Sequence, residues 1–156
     1  MRKVMKFTKY LVGLAASAGL LFGCQELEMV QICDPSEVVP PVLAEVEDLT
    51  ITADNQTENA VFTWDAADFG AKVAVNYALE AKYGESDIYE VVSGLSGTSY
   101  KISYEILNQN LYNGLGLPSD TPVEINFYIS AKVGEDKKYY SAPVKAKVQV
   151  TAAEKK

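Results

Sequence analysis

The sequence contains no histidine and only two cysteines among its 156 residues. Histidine is the most common general base and a frequent metal ligand, so its absence argues against most acid–base and metal-dependent enzymes. The two cysteines, Cys24 and Cys33, allow one disulfide at most. The fold is therefore expected to rest on apolar packing rather than on a disulfide framework.

Cations are also scarce, with 14 Lys and Arg against 21 Asp and Glu. Four of these cations, Arg2, Lys3, Lys6 and Lys9, precede Cys24; without them, ten Lys and Arg face 21 acids, which gives a net charge of −11. A chain this acidic, with no basic stripe, argues against nucleic acid as a partner. The same charge argues against electrostatic adhesion to anionic lipid.

No apolar run is long enough to cross a bilayer. The stretch from Tyr10 to Phe22 provides about a dozen residues, whereas a spanning helix needs roughly 20. A basic start, a short apolar middle and a small residue before Cys24 are typical of a secretory signal peptide, here residues 1–23. Leu21-Phe22-Gly23-Cys24 resembles the lipobox of bacterial lipoproteins, which implies cleavage before Cys24 and attachment of acyl chains to it.

The residues after Cys24 predict an address and a spacer. Gln25-Glu26-Leu27-Glu28 resembles the acidic export signal of Bacteroidetes lipoproteins, which implies the outer face of the outer membrane; retention in the periplasm is the alternative. Residues 24–41 are acidic and contain three prolines. They predict an extended stalk that spans at most about 55–60 Å.

Strand-like alternation of apolar and polar residues begins after Val42. In the clearest segment, Val123, Ile125 and Phe127 alternate with polar neighbours, and in another Glu80 and Lys82 are expected to face outward. Alternation with one polar face predicts antiparallel strands that are half-buried against a second layer. The seven predicted strands lie within residues 49–52, 60–66, 75–84, 87–94, 98–103, 122–134 and 143–150.

Seven short strands separated by turn signals predict an all-β, two-sheet sandwich over residues 42–151, followed by a tail over 152–156. Trp64 and Tyr77 stand where fibronectin type III-like domains carry their central aromatics, so the sandwich resembles the Ig/fibronectin III class. One segment, "SYEILNQNLYNGLGLP", has helical spacing and predicts a short helix that ends at Asn113-Gly114.

The order of these features resembles the N-terminal domain of SusE-type outer-membrane lipoproteins. The resemblance implies a surface lipoprotein that sits beside a sugar-importing transporter and serves the capture of polysaccharides such as starch. Larger members of that family continue into further sandwich domains that hold the glycan, whereas this sequence contains one module. The motifs that carry the resemblance are "CDPSEVVPPVLA", "LTITADN", "VFTWDAADFG", "GTSYKISYEILNQNLYNGLGLP" and "EINFYISAKVG…YYSAPVKAKV".

Two functions are compatible with this resemblance. Direct glycan binding would use exposed aromatic faces flanked by amides and acids, and a coplanar exposed row would indicate such a site. Tyrosine is also an ordinary strand residue. The alternative is a docking module for a transporter or lipoprotein partner, with an apolar patch at Tyr139-Tyr140 or "NGLGLP". The candidate aromatics are Phe69, Tyr83, Tyr89, Tyr112, Tyr128, Tyr139 and Tyr140, with Asn110 and Asn113 near Tyr112.

Catalysis is not expected. Gly94-Leu95-Ser96-Gly97-Thr98 lacks the final glycine of a nucleophile elbow, and there is no histidine to activate Ser96. Asp65 and Asp68 could form a carboxylate pair of glycosidase type, but they follow the end of a predicted strand and read as turn formers. "DNQTEN" lacks the acid density and the glycine of a calcium loop. The sequence therefore predicts neither a cofactor nor a metal site.

Overall fold

β-Strands dominate the structure, a computed structural model that describes residues 34–135 and 137–153. The predicted signal peptide, Cys24 and Cys33 lie outside the described residues, as do the last three residues. Within the described ranges, no helix is long and apolar enough to cross a membrane.

The described part of the chain contains nine strands, not the predicted seven. A helix, α1 (Tyr104–Gln109), and the π-helical segment Asn110–Leu115 stand between the sixth and seventh strands. The strands are β1 (Val42–Leu43), β2 (Leu49–Thr50), β3 (Asn59–Asp65), β4 (Asn76–Lys82), β5 (Tyr89–Leu95), β6 (Ser99–Ser103), β7 (Val123–Lys132), β8 (Tyr139–Tyr140) and β9 (Val144–Gln149).

The two additional strands are β1 and β8, and each is only two residues long. Two residues cannot display the alternation that marks a strand in sequence. These strands exist because of their partners: Val42 pairs with Asp65 of β3, and Tyr140 pairs with Ser130 of β7. The other seven strands match the predicted segments, except that β3 begins one residue earlier, at Asn59, and β5 ends one residue later, at Leu95.

Two sheets pack face to face. The small sheet has the order β1-β3-β6, and the large sheet has the order β2-β9-β7-β4-β5, with β8 pairing to β7. All neighbours are antiparallel except β2, which runs parallel to β9. This arrangement is an Ig/fibronectin III-like β-sandwich, as the sequence predicted.

Aromatic side chains join the two sheets. Phe62 of β3 contacts Phe127 of β7, with ring centroids 5.2 Å apart, and Trp64 contacts Tyr77 of β4 at 5.5 Å. Ala60, Phe62 and Trp64 are all buried while their neighbours on β3 are exposed. The prediction that Trp64 and Tyr77 lie in the core is confirmed.

Ser141 bridges the gap between β8 and β9. Pro143 has no backbone N–H and cannot continue a ladder. The Ser141 hydroxyl accepts the N–H of Ile129 at 3.0 Å, and the Ser141 N–H donates to the Ile129 carbonyl at 2.8 Å. The chain after β7 therefore pairs with it in two parts. The short part, β8, pairs with the C-terminal end of β7, and β9 pairs with its N-terminal half.

The helical segment closes the end of the sandwich where β6 finishes. The Ser103 side chain caps α1 by accepting the N–H of Ile106 at 3.4 Å. The segment ends at Leu115, slightly later than predicted, because Gly116 adopts a φ of 81° and so provides the left-handed cap. Leu107 and Leu111, which belong to this segment, are fully buried.

The N-terminal side of the domain begins before Val42. Val38 is buried in the core, and Val39 forms a bridge with Asp68, in which each backbone N–H donates to the other residue's carbonyl at 2.9 Å. Residues 38–41, expected as the end of the stalk, thus already belong to the packed domain. Any spacer between Cys24 and the domain is correspondingly shorter.

Replacing Trp64 by alanine should cost about 3–5 kcal/mol in the free energy of unfolding, because a large buried side chain that also packs on Tyr77 is lost. Val61, on the same strand but 61% exposed, provides the matched control. Val61→Ala should cost less than about 1 kcal/mol. Urea denaturation followed by circular dichroism measures both values, and equal midpoints for the two variants would contradict the assigned core.

Candidate functional site

The face of the large sheet that points away from the small sheet carries the most distinctive cluster of polar and aromatic side chains. We call it the outer face. Its register places Glu80 of β4 beside Tyr128 of β7 on one side and Glu90 of β5 on the other. On β7, Ser130 pairs with Tyr140 of β8. Strand pairing thus gathers an acidic pair and two tyrosines into one patch.

Glu80 is the least expected member of this patch. The alternation on β4 predicted that it would face outward, and it does lie on the outer face, yet the residue is only 1% exposed. The side chain of Lys138, from the segment before β8, reaches it. The Lys138 ammonium contacts Glu80 Oε1, and the Ser130 hydroxyl donates to the same oxygen at 3.3 Å. The outward direction predicted for Glu80 is confirmed, but its burial was not predicted, because the contact comes from a later part of the chain.

Lys138 bridges two strands by contacting two carboxylates. Its ammonium also donates to Glu90 Oε2 at 2.9 Å. Burial alone would lower the pKa of Lys138, but the hydrogen bonds and charges of Glu80 and Glu90 outweigh it and raise that pKa well above its usual value. The hydrogen bond from Lys138 in turn lowers the pKa of Glu90. Lys138 and Glu90 are therefore both charged at neutral pH.

Tyr140 is the most exposed aromatic of the patch, at 41% of its surface. Its ring stands edge-on to that of Tyr128, with centroids 6.3 Å apart and planes at 86°. Burial, followed by the negative charge of Glu80, raises the pKa of the Tyr140 hydroxyl. The two rings therefore do not form the coplanar row expected of a sugar site; they offer one face and one supporting edge.

A cleft of about 330 Å³ opens beside this patch. The residues that line it include Asn76, Glu90, Ser93, Ser130, Lys132 and Lys138. Amide, hydroxyl, carboxylate and ammonium groups thus alternate around a space within the size range of small-ligand sites. The sequence did not predict this cleft, because its walls come from four separate segments.

Tyr89 and Tyr112 do not join the outer-face patch. Tyr89 pairs with Ala81, a core position, and its hydroxyl donates to Asn110 Oδ1 at 3.1 Å. Tyr112 is half-buried against the core within the π-helical segment. The Asn110 amide, expected to serve a ligand near Tyr112, instead donates to the Ile106 carbonyl at 2.9 Å. Asn113 is exposed.

Tyr139 points to the other side of β8 from Tyr140. Its ring packs edge-on against Phe69 at 5.5 Å, and the Lys137 ammonium lies 4.9 Å from its centroid. Phe69 itself is only 2% exposed, so the expectation that it is an accessible aromatic is wrong. Tyr83 is half-buried against the core. Of the candidate aromatics, the structure brings together Tyr128 and Tyr140 on the outer face, and Tyr139 and Phe69 on the inner side.

Two other sequence features have local structural roles. The Asp68 carboxylate accepts the N–H of Gly70 at 2.8 Å, as a turn former does. In "NGLGLP", Leu117 is buried at 2% exposure and Leu115 is half-buried against the core. Among residues 34–135 and 137–153, no group of three or more acids or cysteines is placed to hold a metal ion.

Comparison with known proteins gives a family and a structural neighbour. A family model described as SusE outer membrane protein matches residues 25–130. Among solved structures, the chain is similar to an Fn3-like protein from Clostridium thermocellum, with 15% sequence identity and a TM-score of 0.33; the alignment covers 72% of this chain and 97% of that chain. A search of curated proteins finds no match.

Gly114 and Tyr89 provide a test of how the helical segment is attached to β5. A Cβ at Gly114 would lie 2.2 Å from the Tyr89 Cζ atom. Gly114→Ala should therefore displace the ring, break its bond to Asn110 and cost about 1–3 kcal/mol of stability. In a Tyr89→Ala background, the same substitution should cost much less. Equal costs in both backgrounds, measured by urea denaturation, would refute the contact.

Proposed function

Because this chain belongs to the SusE outer membrane protein family, we propose that it is a non-catalytic surface lipoprotein and an accessory in the binding and uptake of polysaccharide. Its glycan-binding surface is the outer face of the large sheet, at Tyr140, Tyr128 and the adjoining cleft. The observation that carries the assignment of this surface is the exposed Tyr140 ring beside a polar cleft of about 330 Å³.

Lipid attachment at Cys24 is supported by the sequence around it. The family match begins at Gln25, the first residue after Cys24. With the signal removed, the chain has a net charge of −11 and no basic stripe, so acyl chains rather than charge would hold it at the membrane. From Cys24 to Val38 the chain spans at most about 50 Å, which leaves the domain close to the surface.

The geometry of the two tyrosines gives them different roles. Sugar rings stack on aromatic faces and form hydrogen bonds with neighbouring polar groups. Since the planes of Tyr140 and Tyr128 are at 86°, one sugar ring can stack on only one of them. Tyr140, with its larger exposure, supplies the stacking face, and Tyr128 holds that ring from the side. The cleft then receives the hydroxyl groups of the neighbouring sugar.

The ion pairs of the patch are consistent with a non-catalytic role. Glu80 and Glu90 are both held by Lys138, so neither carboxylate is free to act as a general acid in the way a glycosidase requires. The same bridge suits binding, because it fixes the acceptor groups of the cleft without leaving a buried charge unpaired.

Affinity electrophoresis of the chain from Gln25 to Lys156 tests glycan binding. Gels that contain starch, mannan, pectin or a host-type glycan should include at least one that retards the protein. Tyr140→Ala should weaken that retention about tenfold or more, a loss of about 1.4 kcal/mol. Tyr140→Phe should retain it because the ring face remains, and Tyr112→Ala, on the helical segment, is the control.

Uniform mobility in every gel would rule out direct binding of those glycans and would favour the docking alternative, in which the module contacts a transporter or lipoprotein partner. Retention that is lost in Tyr112→Ala but kept in Tyr140→Ala would place the glycan at the helical end of the domain instead. Circular dichroism of each variant separates loss of binding from loss of fold.

Cys24→Ala should abolish acylation and release the protein from the membrane fraction, because the only predicted anchor is removed. Metabolic labelling with an alkyne fatty acid in a Bacteroidetes host measures the modification. Cys33→Ala is the matched control and should be labelled like the original protein.

In the same host, replacing Glu26 and Glu28 by alanine should leave acylation intact but remove surface exposure, as measured by protease treatment of intact cells. Labelling of Cys24→Ala would disprove the anchor.

A further inference from the structure

The segment Lys137–Tyr140, here called the strap, lies beside β7 at the outer face. Only two residue pairs, Ser130 with Tyr140 and Ala131 with Tyr139, join β8 to β7. Directly after the strap, Ser141 adds its two hydrogen bonds with Ile129. Pro143 prevents the ladder from continuing directly into β9. So short an edge strand is marginal without side-chain contacts.

Two side-chain contacts fasten the strap on opposite sides. On the inward side, Tyr139 packs against the buried Phe69. On the outward side, Lys138 reaches across β7 and contacts both Glu80 and Glu90. The match to the SusE family ends at Ser130, so Lys138, Tyr139 and Tyr140 lie beyond it.

The contact between Lys138 and Glu80 matters because Glu80 is buried. A carboxylate that is 1% exposed has lost nearly all its hydration, and its Oε2 has no hydrogen-bond partner among the described residues. Such a group is costly unless a cation stays beside it. Lifting the strap would take Lys138 away from Glu80, so the buried charge holds the strap down.

We propose that Glu80 and Lys138 are positioning residues that lock the strap onto the outer face and thereby hold the Tyr140 ring at the angle needed for glycan binding. This inference rests on the proposed function. Glu80 acts through Tyr140. Glu80 pairs with Tyr128 in the strand register and accepts a hydrogen bond from Ser130. Ser130 in turn pairs with Tyr140. Glu80, at 1% exposure, needs no contact with the sugar. Lys138 also lines the cleft, so the double-mutant cycle below separates its positioning role from direct contact.

The test uses the full chain purified in mild detergent and a double variant, Glu80→Gln with Lys138→Met. Replacing both partners avoids an unpaired buried charge, so the fold should be kept. The matched control is Glu124→Gln with Lys145→Met, which removes an exposed ion pair of 3.2 Å from the same sheet. Lys138→Arg, which preserves the charge, is the rescue variant.

Amide hydrogen exchange reports on the strap without any ligand. In the Glu80/Lys138 variant, exchange at residues 139–140 should be about tenfold faster or more, while residues 144–148 of β9 should be unchanged. The control pair and Lys138→Arg should exchange like the original protein. Unchanged exchange at residues 139–140 in the Glu80/Lys138 variant would overturn the inference.

Glycan affinity then tests positioning through a double-mutant cycle with Tyr140→Ala. The Glu80/Lys138 variant should weaken retention about tenfold in the original background and have no further effect once Tyr140 is alanine. Equal losses in both backgrounds would show that Glu80 or Lys138 contacts the sugar directly and would overturn the positioning role. If the original protein binds glycan but the Glu80/Lys138 variant binds equally well, the inference fails and the proposed function stands. If the original protein binds none of the glycans, both fail.

Discussion

Aromatic packing between the two sheets is the constraint on which the rest of this structure depends. Both cysteines of the sequence precede the described domain, so no disulfide within the domain can join the sheets, and the contacts of Phe62 with Phe127 and of Trp64 with Tyr77 take that role. Burial of such side chains is worth several kcal/mol each, a large share of the stability of a small domain. Because strands alternate, the inward direction of these rings also determines which residues face outward.

The outward positions of the large sheet are more specialised than those of an ordinary solvated surface. On a fully exposed polar face Glu80 would be hydrated. Here Glu80 is buried, and the ammonium of Lys138, from the strap, contacts it in place of water. One consequence is a fixed charge pair beneath the patch. The other is a half-exposed Tyr140 whose orientation depends on that pair. In this account, a single exposed aromatic ring beside a polar cleft does the recognition, and the surrounding charges provide the rigidity.

Much of the fold could be predicted from the sequence because the relevant signals are local. The alternation through Ala60, Phe62 and Trp64 depends only on the strand period, and the helical segment shows in the spacing of Leu107 and Leu111. β1 and β8 were missed because two-residue strands are defined by their partners. The burial of Val38 was missed for the same reason: it follows from the bridge between Val39 and Asp68, which are far apart in the chain.

The candidate site could be predicted only in part. Tyr128 and Tyr140 were among the candidate aromatics because their side chains are the right kind, but so were Tyr89 and Phe69, which the fold uses internally. Glu80 was predicted only to face outward, because the alternation of its own strand indicates no more than that. Its role depends on Lys138, 58 residues later, and no local pattern reports such a pairing.

The most direct test of the binding face is an NMR titration of the chain from Gln25 to Lys156, labelled on its tyrosine rings, with a soluble oligosaccharide of whichever glycan retards the protein. If the outer face binds the glycan, the ring signals of Tyr140 and Tyr128 shift together with increasing sugar, while those of Tyr89 and Tyr112 stay in place. Shifts confined to Tyr89 and Tyr112, with Tyr140 unchanged, would contradict this assignment and move the binding surface to the helical end of the sandwich.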